Sequence, residues 1–377
     1  MRVRRFSSFS GLPSSYQHLF EAAGNTWYDH SLAWFQNFER TALDDGDRVF
    51  IYGVERDSQA GEAVAALAMK FGRKQEIGLS GRGLSSLSSF YTISFGPAVD
   101  ASAGDLGDAL QALASFICSE NPRWDFVHLR PLDPASAFYP VLMKSLQDAG
   151  MVVQTYSCFG NWYLEVRGLG FNEYLATLPP AMQNTIRRKS KKLEKTGRAH
   201  IDIVTGTEGL ESAIESYERV YLSSWKRPEP YPNFVPGLIR TLADRGWLRM
   251  GVVYLEDQPI AAQVWIVNAG RATIYKLAHD EKFDEFSAGT VLTARLIQQV
   301  LDQDKVFEMD FGSGDDPYKK NWLSMCRKRR GIIAMNPRTW QGCAGIVRHV
   351  GGRAVKSAWQ SLLAPFRSPE KSTGAAA

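Results

Sequence analysis

The chain has 377 residues, of which 44% are hydrophobic and 22% charged, and it carries a net charge of +4. This composition is ordinary for a globular protein, and the length predicts two domains rather than one. No apolar run approaches the roughly 18 residues that a membrane-spanning helix needs. The charged start Met1-Arg-Val-Arg-Arg-Phe has no apolar segment behind it, so we expect no signal peptide and a cytoplasmic protein.

The cysteines and histidines form no metal or disulfide motif in the sequence. Four cysteines are scattered without a Cys-x-x-Cys pair, and six histidines lack His-x-His or His-Glu-x-x-His spacing. Metal sites and disulfide frameworks both show such regular spacings. We therefore expect no metal, and we expect the cysteines to be buried free thiols.

Charge is distributed unequally between the two halves of the chain. Residues 1–165 contain 13 Lys and Arg against 18 Asp and Glu, whereas the remaining residues contain 31 against 22. A basic surplus suits a phosphate-rich ligand such as coenzyme A, and it equally suits tRNA or an anionic membrane. We expect the anionic ligand to bind in the second half.

The first half alternates strands and helices. Its hydrophobic patterns predict a helix over 28–43, strands over 48–54, 63–71 and 87–95, a helix over 103–119, a strand over 124–129, a helix over 135–149 and a strand over 151–156. Gly78, Gly81 and Gly83 could suggest a phosphate loop. They lack the Lys-Ser/Thr ending and no clear helix follows, so we do not assign one.

The second half predicts a further sheet with helices. The elements are a strand end at 162–166, helices over 171–178 and 181–196, a strand over 199–204, helices over 210–224 and 234–244, strands over 248–255, 260–267 and 271–278, and a last strand over 328–335. Gln263 and Trp265 alternate with apolar residues, so their face of the strand could line a ligand.

Three basic or aromatic segments of the second half leave alternatives open. Helix 181–196 carries Arg187, Arg188 and Lys191 within one turn, and such a run is either a solvated face or a phosphate-binding surface. The proline-rich loop 225–232 either crosses the surface or shapes acceptor specificity beside a cleft. The tail 341–377 mixes basic and apolar residues, so we expect it to dock on the body or to touch an anionic membrane, with a disordered end.

The stretch 271–322 organises the second half. It predicts a strand, an acidic loop, a turn, an amphipathic helix and a second strand that ends in Asp310. The turn into the helix consists of Ser287, Ala288, Gly289 and Thr290. The free N–H groups of a first helical turn favour an anion such as a diphosphate. We expect Asp310 and Lys319 to lie on either side of the place where an acceptor could meet the bound ligand.

Four features appear in a fixed order. They are a basic helix beginning Asn184-Thr-Ile-Arg-Arg-Lys, a strand ending Tyr275-Lys-Leu-Ala-His-Asp, the turn Phe286-Ser-Ala-Gly-Thr, and Asp310-Phe-Gly-Ser-Gly-Asp followed by Tyr318-Lys. Together they resemble the acyl-CoA transferases of the GNAT superfamily, in particular its two-lobed CelD/BioF2-like and FemAB-like branch. The resemblance covers residues 169–336.

The resemblance implies an α/β fold of two GNAT-like lobes, each a mostly antiparallel sheet flanked by helices. The strand-helix-strand order of 124–156 parallels that of 271–310, so we infer a structural duplication. We expect lobes at 1–165 and 166–340, followed by the tail 341–377. The second lobe is expected to carry the chemistry, because the first has no counterpart of the loop between Asp310 and Lys319.

Acyl transfer to an amine needs a held donor, a neutral amine, a stabilised oxyanion and a protonated leaving thiolate. In the superfamily, backbone N–H groups at a splayed strand edge meet the oxyanion. Asp310 is the expected base, with His279 as an alternative, and Tyr275 or Tyr318 could protonate the thiolate. Lys319 is expected to bind a phosphate or the acceptor, or to pair with Asp315.

Three functions follow as alternatives. The first is an acyl-CoA-dependent N-acyltransferase, using acetyl-CoA or another acyl-CoA and acting on an amino sugar, an amino acid or a polysaccharide precursor. The resemblance to CelD-like proteins links it to exopolysaccharide biosynthesis. The second is a FemAB-like aminoacyl transferase that uses charged tRNA and grips it with the basic helix. The third is a non-catalytic binding protein on the same fold.

Overall fold

The structure is a computed structural model that describes residues 1–57, 61–72, 79–100, 104 and 106–351. Its strands are β1 (Arg2–Phe6), β2 (Arg48–Glu55), β3 (Ala63–Phe71), β4 (Gly83–Ser86), β5 (Ala98–Val99), β6 (Phe126–Leu132), β7 (Val152–Glu165), β8 (Ala199–Val204), β9 (Leu248–Leu255), β10 (Gln258–Asn268), β11 (Arg271–His279), β12 (Glu308–Asp310) and β13 (Met325–Met335). Its helices are α1 (Ser14–Gly24), α2 (Leu32–Thr41), α3 (Leu106–Ser119), α4 (Phe138–Asp148), α5 (Phe171–Thr177), α6 (Pro180–Glu194), α7 (Leu210–Leu222), α8 (Phe234–Asp244), α9 (Ala288–Asp302) and α10 (Trp340–Ile346).

These strands form one mixed sheet that runs through both lobes. The order is β1-β2-β3-β4-β6-β13-β7-β12-β11-β10-β9-β8, with β5 beside β3. Neighbouring strands are antiparallel except for one parallel pair in each half, β4 with β6 and β11 with β12. Each parallel pair is connected through a helix, α3 in the first half and α9 in the second. This repeated arrangement agrees with the inferred duplication.

The two halves exchange their last strands. β7 ends the first half of the chain but pairs with β12 of the second half, and β13 ends the second half but pairs with β6 of the first. β7 and β13 also pair with each other along their length. The expected boundary at residue 165 does coincide with the end of β7, yet each lobe is completed by a strand from the other.

Helices cover both faces of the second lobe. α5, α6 and α9 pack with one face of β10 and β11 to form a separate core. α7 and α8 pack on the opposite face, where they share a core with α2 and the first lobe. In this shared core the Tyr91 ring stacks on Phe234 with centroids 4.0 Å apart, and the Asn37 amide donates to the Phe234 carbonyl at 3.1 Å. The lobes are therefore joined through both sheet and core.

Most predicted elements are present within a few residues of their expected bounds, but the strand predicted over 87–95 is wrong. This segment is an irregular loop, and most of its residues are buried. Some of its backbone N–H groups donate to side chains, since Asp29 Oδ2 accepts from Ile93 at 3.0 Å and from Ser94 at 2.6 Å, whereas others, such as that of Phe95, donate to backbone carbonyls. Side-chain acceptors of this kind replace a strand ladder.

The structure describes only the first part of the predicted tail. The segment 341–377 begins within α10 and continues as one helical turn over Val347–Gly351. Residues 352–377, which hold most of the predicted amphipathic pattern, lie outside the described residues.

Candidate active site

Two parallel strands part at the centre of the second lobe. β11 and β12 pair only where Arg271, Ala272 and Thr273 face residues 308–310, because β12 ends at Asp310. β11 continues to His279 with β10 on one side alone. The ladder with β10 matches residue 276 to 264 and residue 274 to 265, so Tyr275 is an extra residue in a bulge. Beyond Thr273 the edge of β11 faces an opening.

Asp310 lies at the base of this opening without lining it. The side chain is fully buried. Its Oδ1 accepts from Asn161 Nδ2 at 2.8 Å and from the Gly312 N–H at 2.5 Å, and its Oδ2 pairs with Arg327. Protein donors therefore occupy both oxygens. This geometry argues against the expected role of Asp310 as general base and assigns it to fixing the loop that follows β12.

Lys319 stabilises the loop that follows β12. Its ammonium group is buried and donates to the carbonyls of Phe311 at 3.1 Å, Ser313 at 2.6 Å and Gly314 at 3.3 Å. Its ion-pair partner is Asp316 at 3.4 Å, not Asp315 as expected. Because its donors serve the loop, Lys319 supports the wall of the opening rather than reaching for a phosphate.

Asp315 points away from the opening. Its carboxylate accepts from the Trp162 indole at 2.8 Å and pairs with Lys328 at 3.4 Å on the protein surface. These donors lower the pKa of Asp315, with the Trp162 hydrogen bond as the largest cause. The predicted substrate contact of Asp315 is therefore not what this geometry favours.

A cavity of about 220 Å³ fills the opening. It is lined by both lobes: Phe90, Tyr91 and Ile93 from the first, Ile274, Tyr275, Lys276 and Leu277 from β11, Phe311, Ser313, Asp316, Tyr318 and Lys319 from the loop, and Lys226. A groove of about 420 Å³ continues it along the proline-rich loop and shares Phe90, Lys226 and Lys276. We call the two together the central cleft.

The N-terminus of α9 lies beyond the far end of β11. His279, the last residue of β11, approaches Gly289 so closely that a Cβ added there would lie 3.4 Å from its Nδ1. The N–H groups of Thr290 and Val291 donate to the Ser287 carbonyl at 2.9 and 3.1 Å. Those of Ala288 and Gly289 donate to no acceptor among the described residues. Two amides, with the positive end of the helix dipole, therefore have the geometry that an anion needs.

Gln263 and Trp265 lie beneath this helix start and not in a ligand cavity. Both are buried. Gln263 Nε2 donates to the Gly289 carbonyl at 2.9 Å and to Thr293 Oγ1 at 2.8 Å, while its oxygen accepts from the Trp265 indole at 2.9 Å. The prediction that these side chains line a ligand is wrong, because the face of β10 that carries them is covered by α9. They hold the first turn of α9 on the sheet.

Basic helix α6 presents two different sets of cations. Lys189 and Lys192 reach toward α9, where they contact the carbonyl and the carboxylate of Glu285, each at 2.6 Å. The predicted Arg187, Arg188 and Lys191 are exposed. The sequence pattern identified the helix correctly, but the cations that contact the segment leading into α9 are Lys189 and Lys192.

The three other candidate side chains occupy different surroundings. The His279 ring packs against Trp225 at a tilt of 47° with centroids 4.5 Å apart, and its Nε2 lies 3.2 Å from Asp284, beside the α9 terminus rather than in the cavity. The Tyr275 phenol donates to the Tyr91 carbonyl at 3.1 Å, and burial raises its pKa. Tyr318 is 42% exposed and lines the cavity, and burial followed by the charge of Asp316 raises its pKa to about 12.

Sequence analysis missed several residues of the central cleft. Phe90 and Tyr91 belong to the segment that was predicted as a strand. Lys276 and Asp316 lie within motifs whose predicted site residues were the neighbouring Tyr275 and Asp315. Lys226 is in the proline-rich loop, whose alternative role beside a cleft was the one available signal. Burial, and then the charge of Lys276, lowers the pKa of Lys226 to about 8.

A larger cavity of about 800 Å³ lies in the first lobe, between α1 and the segment that leads into α4. It lacks the splayed strand edge and the free helix amides that distinguish the central cleft. Among the described helices, none is both long and apolar enough to cross a bilayer. No group of three or more His, Cys, Asp or Glu in the described part of the chain is placed to hold a metal ion.

Comparisons with known proteins identify this region. Residues 181–320 match the family model of the acetyltransferase (GNAT) domain. The fold is similar to that of FemX, with a TM-score of 0.59 at 10% identity over 88% of this chain and 97% of FemX. It is also similar to the C-terminal domain (DUF2156) of a putative lysylphosphatidylglycerol synthetase from Agrobacterium fabrum, with a TM-score of 0.53 at 11% identity over 88% of this chain and 97% of that domain. At these identities the likeness concerns the fold alone. A comparison with curated proteins gave no match.

Proposed function

We propose that the chain, whose residues 181–320 match the GNAT acetyltransferase domain, is an acyltransferase that transfers an acyl group from acyl-coenzyme A to an amine. The proposal places the reaction in the central cleft. The observation that carries it is the parting of β11 from β12, together with two free amides at the α9 terminus beyond the far end of β11.

The α9 terminus fits the diphosphate of coenzyme A. The amides of Ala288 and Gly289 supply donors, and Lys189 and Lys192 add positive charge from α6. Four residues of extended chain separate Tyr275 from His279, or about 13 Å at the usual rise per residue. That distance suits an extended pantetheine arm between the diphosphate and a thioester. The bound donor supplies the activated acyl carbonyl.

The edge of β11 is suited to polarise that carbonyl. From Ile274 onward no described strand pairs with β11 on the cleft side, so alternate N–H groups face the cleft. Fixed backbone donors stabilise a developing oxyanion without reorganising during the reaction. The Gln263 contacts with α9 and the buried ion pair of Asp310 hold the two walls of the cleft in place.

Transfer forms a C–N bond and breaks a C–S bond, so the site takes one proton from the amine and returns one to sulfur. Tyr318 can return it, because its phenol lines the cavity and is protonated at neutral pH. Asp316 lines the same cavity, and although its Oδ2 pairs with Lys319 at 3.4 Å, its side chain is 59% exposed, so the carboxylate can still accept the amine proton. Tyr318 and Asp316 therefore replace Tyr275 and Asp310 as the expected proton donor and acceptor. The Tyr275 phenol and the Asp310 carboxylate are occupied by contacts within the protein.

The test measures free-thiol release from acetyl-CoA and longer acyl-CoAs across a panel of amines, together with calorimetric binding of coenzyme A. We expect both, with affinity lowered in Lys189→Gln/Lys192→Gln. Lys144→Gln is the matched control, because Lys144 is an exposed lysine on α4 of the first lobe. Absence of both thiol release and coenzyme A binding would refute the proposal.

Aminoacyl transfer from charged tRNA is the second candidate, and one observation favours it. Arg187, Arg188 and Lys191 are all exposed on α6, and an exposed run of cations on one helix suits a nucleic-acid backbone. Calorimetry with tRNA in place of coenzyme A separates the candidates. Binding that falls steeply with salt and is lost in the triple glutamine variant of these three residues would support tRNA.

A further inference from the structure

Positive side chains gather around the central cleft. Lys226, Lys276 and Lys319 line the cavity, and Arg227 lines the connected groove. Glu229 and Asp316 are the carboxylates among the same lining residues. Four cations against two carboxylates leave the cleft positively charged.

Two of the three lysines are neutralised by acidic partners. Lys276 pairs with Glu229 at 2.6 Å, and Glu229 also accepts from the Tyr91 phenol at 2.6 Å. Lys319 pairs with Asp316 and serves three carbonyls of its loop. Neither ammonium group is available to a ligand without loss of these contacts.

Lys226 differs because it pairs with no carboxylate of the described residues. Its ammonium group lies 5.6 Å from the Trp225 ring centroid and 5.9 Å from that of Tyr221. Burial and Lys276 lower its pKa, whereas Glu229 and Asp316 act in the opposite direction. A partly buried cation without a counterion costs free energy that a bound anion would recover.

Exposed aromatic rings surround this cation. Phe90 is 52% exposed, Trp225 50% and Tyr318 42%, and these are unusual values for large aromatic residues. All three border the cavity or its groove. Aromatic faces beside a cation bind ligands that combine a ring or apolar body with an anionic group.

We propose that the acceptor is an amine that also bears an anionic group, either a carboxylate or a phosphate, and that Lys226 binds this group at the mouth of the central cleft. This proposal rests on the proposed function, because it identifies the acceptor class of that same site. Lys226 is a specificity-determining residue, with Arg227 as the neighbouring cation and the exposed rings as the surface for the body of the acceptor.

The charge of the cleft also acts on the reacting amine. Nearby cations disfavour an ammonium group and lower its pKa, so they raise the fraction of neutral, nucleophilic amine. The anionic group offsets the cost of bringing that amine into a positive cleft. Anion binding and amine activation therefore come from the same set of side chains.

The first experiment compares matched acceptors at equilibrium and in turnover. Glucosamine 6-phosphate is paired with glucosamine, and amino acids are paired with their amides, so that phosphate and carboxylate are separated. We expect the anionic member of at least one pair to bind the wild-type protein more tightly by calorimetry. Lys226→Gln should weaken that binding, and raise the KM of the anionic acceptor, by about 10- to 100-fold, as for loss of a charged hydrogen bond.

Two variants control for other causes. Lys226→Arg should restore much of the affinity for the anionic acceptor, whereas Lys144→Gln should leave it unchanged. The KM for acyl-CoA and the weak affinity for neutral amines should not change in Lys226→Gln. If wild type and Lys226→Gln bind anionic and neutral amines equally while coenzyme A still binds, this inference is wrong and the proposed function stands. If coenzyme A does not bind, the proposed function fails, and the calorimetric comparison still decides whether Lys226 binds anions.

Discussion

Replacement of Asp310 distinguishes a structural role from a catalytic one. Asp310→Ala removes the partner of Arg327 and leaves the Asn161 amide and the Gly312 N–H without their acceptor. Breaking a buried ion pair costs about 3–5 kcal/mol. Arg327 keeps Glu308, at 2.9 and 3.2 Å, so we expect about 3 kcal/mol of lost unfolding free energy. Asp310→Asn keeps an acceptor oxygen and should cost about 1–2 kcal/mol.

The assay pairs urea unfolding, followed by tryptophan fluorescence, with the kcat of thiol release measured below the unfolding transition. If Asp310 fixes the loop, Asp310→Asn lowers the midpoint and changes kcat by less than about tenfold, since proton transfer by a catalytic base is worth about 10²- to 10⁴-fold. Asp315→Asn, on the exposed side of the same loop, should change neither quantity. An Asp310→Asn variant that unfolds like wild type but loses thiol release more than a hundredfold would show that Asp310 is the base after all.

Three further results are expected. Tyr318→Phe should lower kcat by about 10²-fold or more with little effect on acyl-CoA affinity, because it removes the proton for the thiolate; an unchanged kcat would exclude Tyr318 as the donor. Affinity for an anionic acceptor should fall as pH rises through about 8 in wild type, since Lys226 then loses its proton, and this dependence should be absent in Lys226→Gln. Burial raises the pKa of Asp29 to about 7, so the folded state binds its proton more tightly than the unfolded state does. This group should lower the unfolding free energy by up to about 4 kcal/mol between pH 4 and pH 8. Asp29→Asn, which keeps an acceptor for Ile93 and Ser94, should lack that loss in urea titrations; an identical pH profile would contradict it.

Much of the second lobe could be predicted because its patterns are local. The periodicity of 271–310 determined a strand, a helix and a second strand, and their order led to the GNAT superfamily, which the family match confirms for residues 181–320. The free amides of Ala288 and Gly289 follow from the same local geometry, since any helix begins with unpaired N–H groups. The basic helix was also visible from composition.

Side-chain roles were less predictable because they depend on what packs against each element. Asp310 at a strand end could be a base or a structural anchor, and the position of Arg327 on β13, brought alongside by β7, decides between them. Gln263 alternates correctly along β10, but α9 covers the face that carries it. The segment around Tyr91 has strand-like composition, yet the buried Asp29 captures its backbone N–H groups.

The amino-acid sequence by itself determined the local elements, the turn at Gly289 and the family to which the stretch 181–320 belongs. Only the tertiary structure decided that β7 and β13 exchange lobes, that Phe90 and Tyr91 reach the second lobe, and that Lys226 lies beside a cleft with no carboxylate partner in the described part of the chain. The physical reason is the range of the interactions. Helix and strand periodicity reports burial over a few residues, whereas strand partners, ion pairs and cavities depend on residues far apart in the chain.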